Sequence, residues 1–139
     1  MAEALPEWAA EYIGIPYVQH GRTKEGCDCW GLLNLIWREQ FGFEPPPYEG
    51  VDWYKGQKPT VIGSDAIEYA SLYAPVPQGE EQAGDGILLR MRGHPFHVGL
   101  VVTPGYMIHT HESAGAVIEC YRSMAWEKRI SGFYRYEAA

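Results

Sequence analysis

The strongest helical pattern in the chain, residues 28–41, precedes a series of strand-like segments that begins at Gly86. Apolar residues recur through this pattern at three- and four-residue steps, as they do on one face of an α-helix. Asp28 is a good cap for the first turn, and Gly42 with the prolines after it ends the pattern. We therefore predict an amphipathic helix over residues 28–41. Its polar side is predicted to carry Asn34, Arg38 and Glu39.

Strand patterns dominate the second half of the chain. Segments rich in β-branched and aromatic residues alternate there with turns that contain glycine or proline. The predicted strands cover residues 86–91, 97–102, 106–110, 116–121 and 130–136. Shorter helices are predicted over residues 6–13 and 64–73, with connections over 14–26 and 42–63. We predict a single α+β domain over residues 1–139, in which N-terminal helices pack on an antiparallel sheet of about five strands.

Cys29 lies in the first turn of the predicted helix at residues 28–41. Unpaired N–H groups and the positive end of the helix dipole favour a thiolate at this position, and the thiolate is the reactive form. The backbone N–H of Cys29 can also stabilise an oxyanion during acyl transfer. Cys29 is therefore the predicted nucleophile, with Cys27 as the less favoured alternative. Cys120 lies in a predicted strand and is expected to be a small core residue.

A nucleophilic thiol needs a base, and His97 and His109 lie in two consecutive predicted strands. A bulge or a three-residue turn between these strands would set His109 opposite Gly99, on the same face as His97. A plain two-residue turn would put the two histidines on opposite faces. We predict the first arrangement, in which His109 orients His97 for Cys29. His111 shares the face of His109 and is the alternative third residue.

Five short fragments follow one another along the chain in a fixed order. They are Gly14-Ile15-Pro16-Tyr17, Asp28-Cys29-Trp30-Gly31-Leu32, Gly84-Asp85-Gly86-Ile87-Leu88, His97-Val98-Gly99-Leu100-Val101-Val102 and Met107-Ile108-His109-Thr110. In order and spacing they resemble the signatures of the NlpC/P60 cysteine peptidases, over about residues 8–136. The resemblance implies a papain-like fold and cleavage of peptide bonds in peptidoglycan stem peptides, typically beside a D-amino acid. It implies Cys29, His97 and His109 as catalytic residues and no cofactor.

The resemblance also implies residues that meet the substrate. Asp28, besides capping the helix, is expected to meet the amino terminus of the stem peptide. Tyr17 is expected to donate a hydrogen bond near the thiolate or the oxyanion, with ordinary aromatic packing as the alternative. Trp30 occupies a position that borders the substrate cleft in the family, where many cell-wall members have serine.

Three further fragments are similar to the branch of the family found in tailed phages and gene transfer agents. They are His20-Gly21-Arg22-Thr23, Trp37-Arg38-Glu39-Gln40-Phe41-Gly42 and the stretch from Ser123 to Arg135. This branch implies a tail-tip or tail-assembly protein whose partners are phage tail-tip and hub proteins.

The first residues contain no basic region followed by an apolar core, so we expect synthesis in the bacterial cytoplasm without a signal peptide. The virion tail would then carry the protein to the periplasm and cell wall. We expect no membrane insertion, because no apolar run approaches membrane-spanning length. The net charge of −7 argues against a nucleic-acid partner.

Two other classes of function are compatible with the sequence. The first is a non-catalytic tail-tip or assembly protein that keeps the peptidase fold. The second is a zinc module, although residues two apart on a strand suit such a site poorly. Its candidate ligands are Cys27, Cys29, His94, His97, His109 and His111. We favour the enzyme and expect no metal.

Overall fold

The described parts of the chain consist of short helices followed by an antiparallel sheet. The computed structural model describes residues 5–43, 73–91 and 94–136. Most of the predicted connection over residues 42–63 and of the predicted helix over 64–73 therefore lies outside the described residues. The last residue of that predicted helix, Tyr73, begins a strand instead. Within the described ranges, no helix has the length and apolarity needed to cross a lipid bilayer.

The region before the main helix holds a helical turn and a small hairpin. The predicted helix at residues 6–13 is a 3-10 helix, Glu7–Tyr12. The predicted connection over residues 14–26 contains strand β1, Arg22–Thr23, which pairs with strand β2, Gly26–Cys27. Sequence patterns missed this hairpin because two-residue strands are too short to show a period.

Helix α1, Cys29–Ile36, continues into a π-helical turn, Trp37–Phe41, which ends at Gly42 in a left-handed conformation with φ of 70°. Arg38 and Glu39 are exposed, as predicted. Asn34 is buried, so its prediction as a solvent-facing residue was wrong. The reason is that α1 contacts the β1–β2 hairpin as well as the sheet and is covered on more than one side.

Within the described ranges, the main sheet has six antiparallel strands, one more than predicted, in the order β3-β8-β4-β5-β6-β7. The strands are β3 Tyr73–Val76, β4 Gly86–Met91, β5 His94–Thr103, β6 Tyr106–His111, β7 Gly115–Cys120 and β8 Ile130–Tyr136. Strand β3 is the additional one and pairs with β8 at the edge of the sheet. The other five lie where strands were predicted, with ends shifted by a few residues. Strand β5 begins at His94, three residues before the predicted strand at 97–102.

Alternate side chains of β5 belong to different layers of the core. Val98, Leu100 and Val102 pack in the cluster that contains α1. Val101 packs in a second cluster that also contains Trp126 and other buried residues. His97 and Val101 are four residues apart on the strand, so their side chains point to the same face. That face is opposite to the one on which Val98 lies. The apolar side chains of α1 therefore pack on one face of β5, and the histidine side chains lie on the other.

Candidate active site

The pairing of β5 with β6 decides how the two histidines meet. Leu100 lies opposite Ile108, and the register shifts between Val101 and Thr103, which is the predicted bulge. The same register puts Gly99 opposite His109, and a Cβ atom built on Gly99 would lie 3.1 Å from the Cβ of His109. The predicted placement of both histidines on one face is confirmed.

His97 and His109 form a direct hydrogen bond between their rings. His97 Nε2 lies 2.8 Å from His109 Nδ1. The two rings meet edge to face, with centroids 5.1 Å apart, and both side chains are buried. This geometry lets His109 hold the ring of His97 in a fixed orientation, as an orienting residue must. The roles of both residues in catalysis remain predictions.

Glu119 on β7, which was not predicted as a site residue, extends this contact. Its Oε2 atom lies 2.5 Å from His109 Nε2 and 3.1 Å from His111 Nε2. We call Glu119, His109 and His97 the histidine relay. Period-two alternation on β7 would have put Glu119 on the His109 face, but only after the register with β6 was known. That register is a long-range property of the fold.

Protonation in the histidine relay follows from burial and hydrogen bonding. Burial lowers the pKa of His109 to about 4, although its hydrogen bond to Glu119 opposes the shift, so the ring is neutral near pH 7. Burial alone would raise the pKa of Glu119, but the hydrogen bonds from His111 and His109 outweigh it and the pKa is lowered. The buried neutral ring therefore faces an ionised carboxylate.

An ionised carboxylate only accepts hydrogen bonds, so Glu119 fixes the direction of every bond in the histidine relay. His109 must donate from Nε2, which leaves its Nδ1 as an acceptor for the Nε2–H of His97. The lone pair of His97 then lies on Nδ1. The histidine relay thus prepares His97 Nδ1 to take a proton.

Cys29 lies at the start of α1, almost fully buried. Burial raises the pKa of its thiol to about 12, although a hydrogen bond from the backbone of Val98 favours the thiolate. Val98 directly follows His97, so this contact brings the thiol beside the strand residue that carries the proposed base. Backbone N–H groups of Trp30 and Cys29 at the helix terminus favour the thiolate, as expected, but the loss of hydration has the larger effect on the pKa.

Cys27 is placed differently from Cys29. Its thiol donates to the carbonyl oxygen of Thr23 at 2.9 Å, within the β1–β2 hairpin. Burial raises the pKa of Cys27 to about 12 as well. The contact gives Cys27 a structural function in the loop that leads to the helix.

Asp28 is a buried anchor for the start of α1. Its Oδ1 atom accepts from the backbone N–H of Gly31 at 2.7 Å, which confirms the predicted cap. The same atom is 2.9 Å from the Arg22 guanidinium, and Oδ2 accepts from the backbone N–H of His20 at 2.9 Å. These bonds fix the preceding loop against the helix. The predicted contact of Asp28 with the substrate remains a prediction.

The other two predicted substrate residues contribute to the core around α1. Tyr17 is half-buried, forms a bridge with Cys27 and packs against the cluster that contains the helix. Trp30 is 6% exposed and meets Trp37 edge to face, with ring centroids 6.1 Å apart. Their predicted roles at the substrate cleft remain predictions.

Trp126 covers the histidine face of the sheet. Its ring lies nearly parallel to that of His97, with centroids 6.5 Å apart, and edge to face with His109 at 5.0 Å. Trp126 is itself buried. Its place at the site could not be predicted from the sequence, because its contacts link positions far apart in the chain. The indole shields the rings from solvent, which strengthens the hydrogen bonds between them.

Possible metal ligands group differently from the sequence-based zinc module. Among the described residues, His109, His111 and Glu119 bring their ligand atoms within 4.8 Å of one another. Cys27 and Cys29 are engaged by Thr23 and Val98 instead.

The chain matches the model of a known protein family. The model described as the NlpC/P60 family matches residues 14–135, which include Cys29, His97, His109 and Glu119. The chain belongs to the NlpC/P60 family. The predicted α+β fold of this family is confirmed, with six strands in place of about five.

Relatives with the same domain include known and probable hydrolases. The chain is 28% identical over 122 residues to the murein DD-endopeptidase MepS/murein LD-carboxypeptidase of Escherichia coli K12, covering 88% of this chain and 56% of that protein. It is 25% identical over 133 residues to a gamma-DL-glutamyl hydrolase of Bacillus subtilis, covering 93% of this chain and 28% of the relative. The chain thus spans about half or less of the length of these two relatives.

Solved structures of NlpC/P60 domains share the fold. The NlpC/P60 domain of the peptidoglycan hydrolase SagA superposes with a TM-score of 0.58 at 23% identity, covering 91% of both chains. A lipoprotein-like NLP/P60 protein of Staphylococcus aureus Mu50 gives a TM-score of 0.65 at 21% identity, covering 94% of this chain and 39% of the other.

Proposed function

We propose that this NlpC/P60 chain is a cysteine peptidase that cleaves peptide bonds in peptidoglycan stem peptides. The observation that carries the proposal is the histidine relay. It ends at His97, and the backbone of the next residue, Val98, contacts the thiol of Cys29. The bonds of the histidine relay leave a proton-accepting nitrogen on His97 and so meet the requirement of a thiol nucleophile for a base. The murein endopeptidase among the relatives supports peptidoglycan as the substrate class.

The proposed reaction is thiol acyl transfer. Cys29 passes its proton to Nδ1 of His97 as its sulfur attacks the peptide carbonyl carbon. The backbone N–H of Cys29 and the hydroxyl of Tyr17 stabilise the oxyanion. His97 then protonates the leaving amine, and water attacks the thioester to release the acyl group and restore the thiol. These steps need no cofactor.

Proton transfer accompanies the attack in this scheme. Because burial raises the pKa of Cys29, the thiol stays neutral until a carbonyl is within reach. A neutral pair costs less to bury than a thiolate and an imidazolium. Substrate contacts at Asp28 and Trp30 belong to the proposal, as positions that border the peptide at the start of α1.

The biological setting proposed for the peptidase is the tail tip of a phage or gene transfer agent. The fragments His20–Thr23, Trp37–Gly42 and Ser123–Arg135 support this branch by their resemblance. The protein would be made in the bacterial cytoplasm, join tail-tip and hub proteins, and thin the wall locally during entry. Mass spectrometry of purified particles tests this setting: the chain should co-purify with tail proteins, and its absence from particles would contradict the tail assignment.

The activity is tested on purified peptidoglycan and on its soluble muropeptides. Wild-type protein and Cys29→Ala are incubated with each, and new fragments are identified by mass spectrometry. Stem-peptide fragments released by the wild type alone are the expected result, and their masses identify the bond. Intact stem peptides with both proteins would contradict the peptidase and favour the non-catalytic tail-tip protein.

A further inference from the structure

We propose that His109, His111 and Glu119 form a binding site for Zn²⁺ whose occupation inhibits the enzyme. The inhibitory effect rests on the proposed function, whereas the binding of zinc does not, because the three ligand atoms lie together whether or not the chain is a peptidase. The proposed ion is an inhibitor, so the metal-free mechanism above is unchanged.

The three side chains converge from two neighbouring strands. His109 and His111 project from one face of β6, and Glu119 projects from the same face of β7, opposite Met107. The Nε2 atoms of both histidines point at one carboxylate oxygen, at 2.5 and 3.1 Å. The rings of the two histidines are 4.5 Å apart between centroids. Two imidazoles and a carboxylate suit zinc in type and number.

The spacing of the ligand atoms is close to that of a tetrahedral site. Zinc bonds of roughly 2.0–2.1 Å place neighbouring ligand atoms roughly 3.4 Å apart. The three atoms lie within 4.8 Å of one another. To admit the ion, the Glu119 oxygen has to move away from His109 Nε2 by about 1 Å, and ligand atoms at the upper limit of the spacing have to approach one another by a similar distance.

The ion has a route to these ligands from solvent. The side chains of His111 and Glu119 are 27% and 37% exposed, whereas that of His109 is fully buried. Zinc therefore approaches through the two outer ligands and reaches His109 last. Three protein ligands leave the fourth position to water.

Zinc bound at this site would reverse the direction of the hydrogen bond between His109 and His97. The metal takes the lone pair of His109 Nε2, so the ring proton of His109 must lie on Nδ1. Nδ1 then donates to His97 Nε2, which must be the acceptor, and the proton of His97 moves to its Nδ1. That nitrogen is the one proposed to accept the proton of Cys29. Both histidines keep one ring proton each, so the base is lost by a change of tautomer with no change of charge.

The experiment separates this site from zinc bound directly by the catalytic thiol. Isothermal titration calorimetry with Zn²⁺ is performed on Cys29→Ala and on Cys29→Ala with His111→Ala, with Glu112→Gln, the exposed neighbour of His111, as the control substitution. We expect one bound ion in Cys29→Ala and in the control, and an affinity at least about tenfold lower without His111. Loss of zinc binding in Cys29→Ala, or unchanged affinity without His111, would overturn the site.

Inhibition is measured in parallel with otherwise wild-type protein. Zinc should inhibit the hydrolysis of muropeptides by the wild type. His111→Ala, with each rate taken relative to its own zinc-free rate, should need at least about tenfold more zinc for the same inhibition. Equal sensitivity of the two proteins would overturn the inhibitory function of the site. An inactive wild type would contradict the proposed peptidase, while the calorimetric comparison would still decide whether the zinc site exists.

Discussion

Single residues determine the direction in which protons can move through this site. Glu119 is the fixed acceptor, His109 transmits its orientation, and His97 presents the unprotonated nitrogen. The sequence predicted the two histidines because each lies in a strand fragment with a family signature. Glu119 escaped prediction because its contact depends on the register of a third strand.

Replacing Glu119 tests the histidine relay. In Glu119→Gln an amide, which both donates and accepts, stands in place of the carboxylate, and His109 loses the acceptor that fixes its tautomer. We expect kcat/KM to fall about 10- to 100-fold, with partial recovery in Glu119→Asp. Glu112→Gln, on the exposed turn after His111, should retain wild-type kcat/KM. Equal activity of Glu119→Gln and the wild type would contradict the proposed positioning.

The protonation of Cys29 can be followed by alkylation. Burial raises the pKa of this thiol to about 12, so the thiolate fraction is small near pH 7 and grows about tenfold per pH unit below the pKa. We expect the rate of iodoacetamide modification at Cys29, measured by peptide mass spectrometry, to rise in this way from pH 7 to 10. A constant rate near pH 7 that disappears in His97→Ala would instead indicate a preformed thiolate–imidazolium pair.

At the scale of elements, the start of α1 is held by the loop that precedes it. Asp28 binds that loop through Arg22 and the backbone of His20 while it caps the helix. The cap and the helix start could be predicted because their signals are local. The burial that keeps Cys29 neutral could not, because it arises when the sheet packs against the helix.

Gly31 permits the close approach of that loop. A Cβ atom on Gly31 would lie 1.9 Å from the carbonyl oxygen of Gly21, and α1 would have to shift. We expect Gly31→Ala to lower the free energy of unfolding by about 1–3 kcal/mol in urea titrations. Gly86→Ala is the matched control, because its nearest contact would be 3.6 Å. Equal stability of Gly31→Ala and the control would show that the loop adapts without strain.

At the scale of the whole molecule, β5 contributes side chains to both layers of the core, one on each face of the sheet. Helix α1 packs in one layer, and the histidines and Trp126 face the other. The start of α1 brings Cys29 to the backbone of Val98, the strand residue that follows His97. The order of helix and strands was visible in the sequence, but the sixth strand was missed. Strand β3 contains Pro75 and is only four residues long, so it has the weak signal of an edge strand.

The most direct test of the account is the rate of muropeptide hydrolysis by two variants, each of which replaces one cysteine by alanine. Cys29→Ala should abolish hydrolysis because it removes the nucleophile. Cys27→Ala should remain active, because the thiol of Cys27 contacts the carbonyl oxygen of Thr23 within the β1–β2 hairpin. Hydrolysis by Cys29→Ala together with an inactive, folded Cys27→Ala would contradict the assignment of the nucleophile and the mechanism built on it.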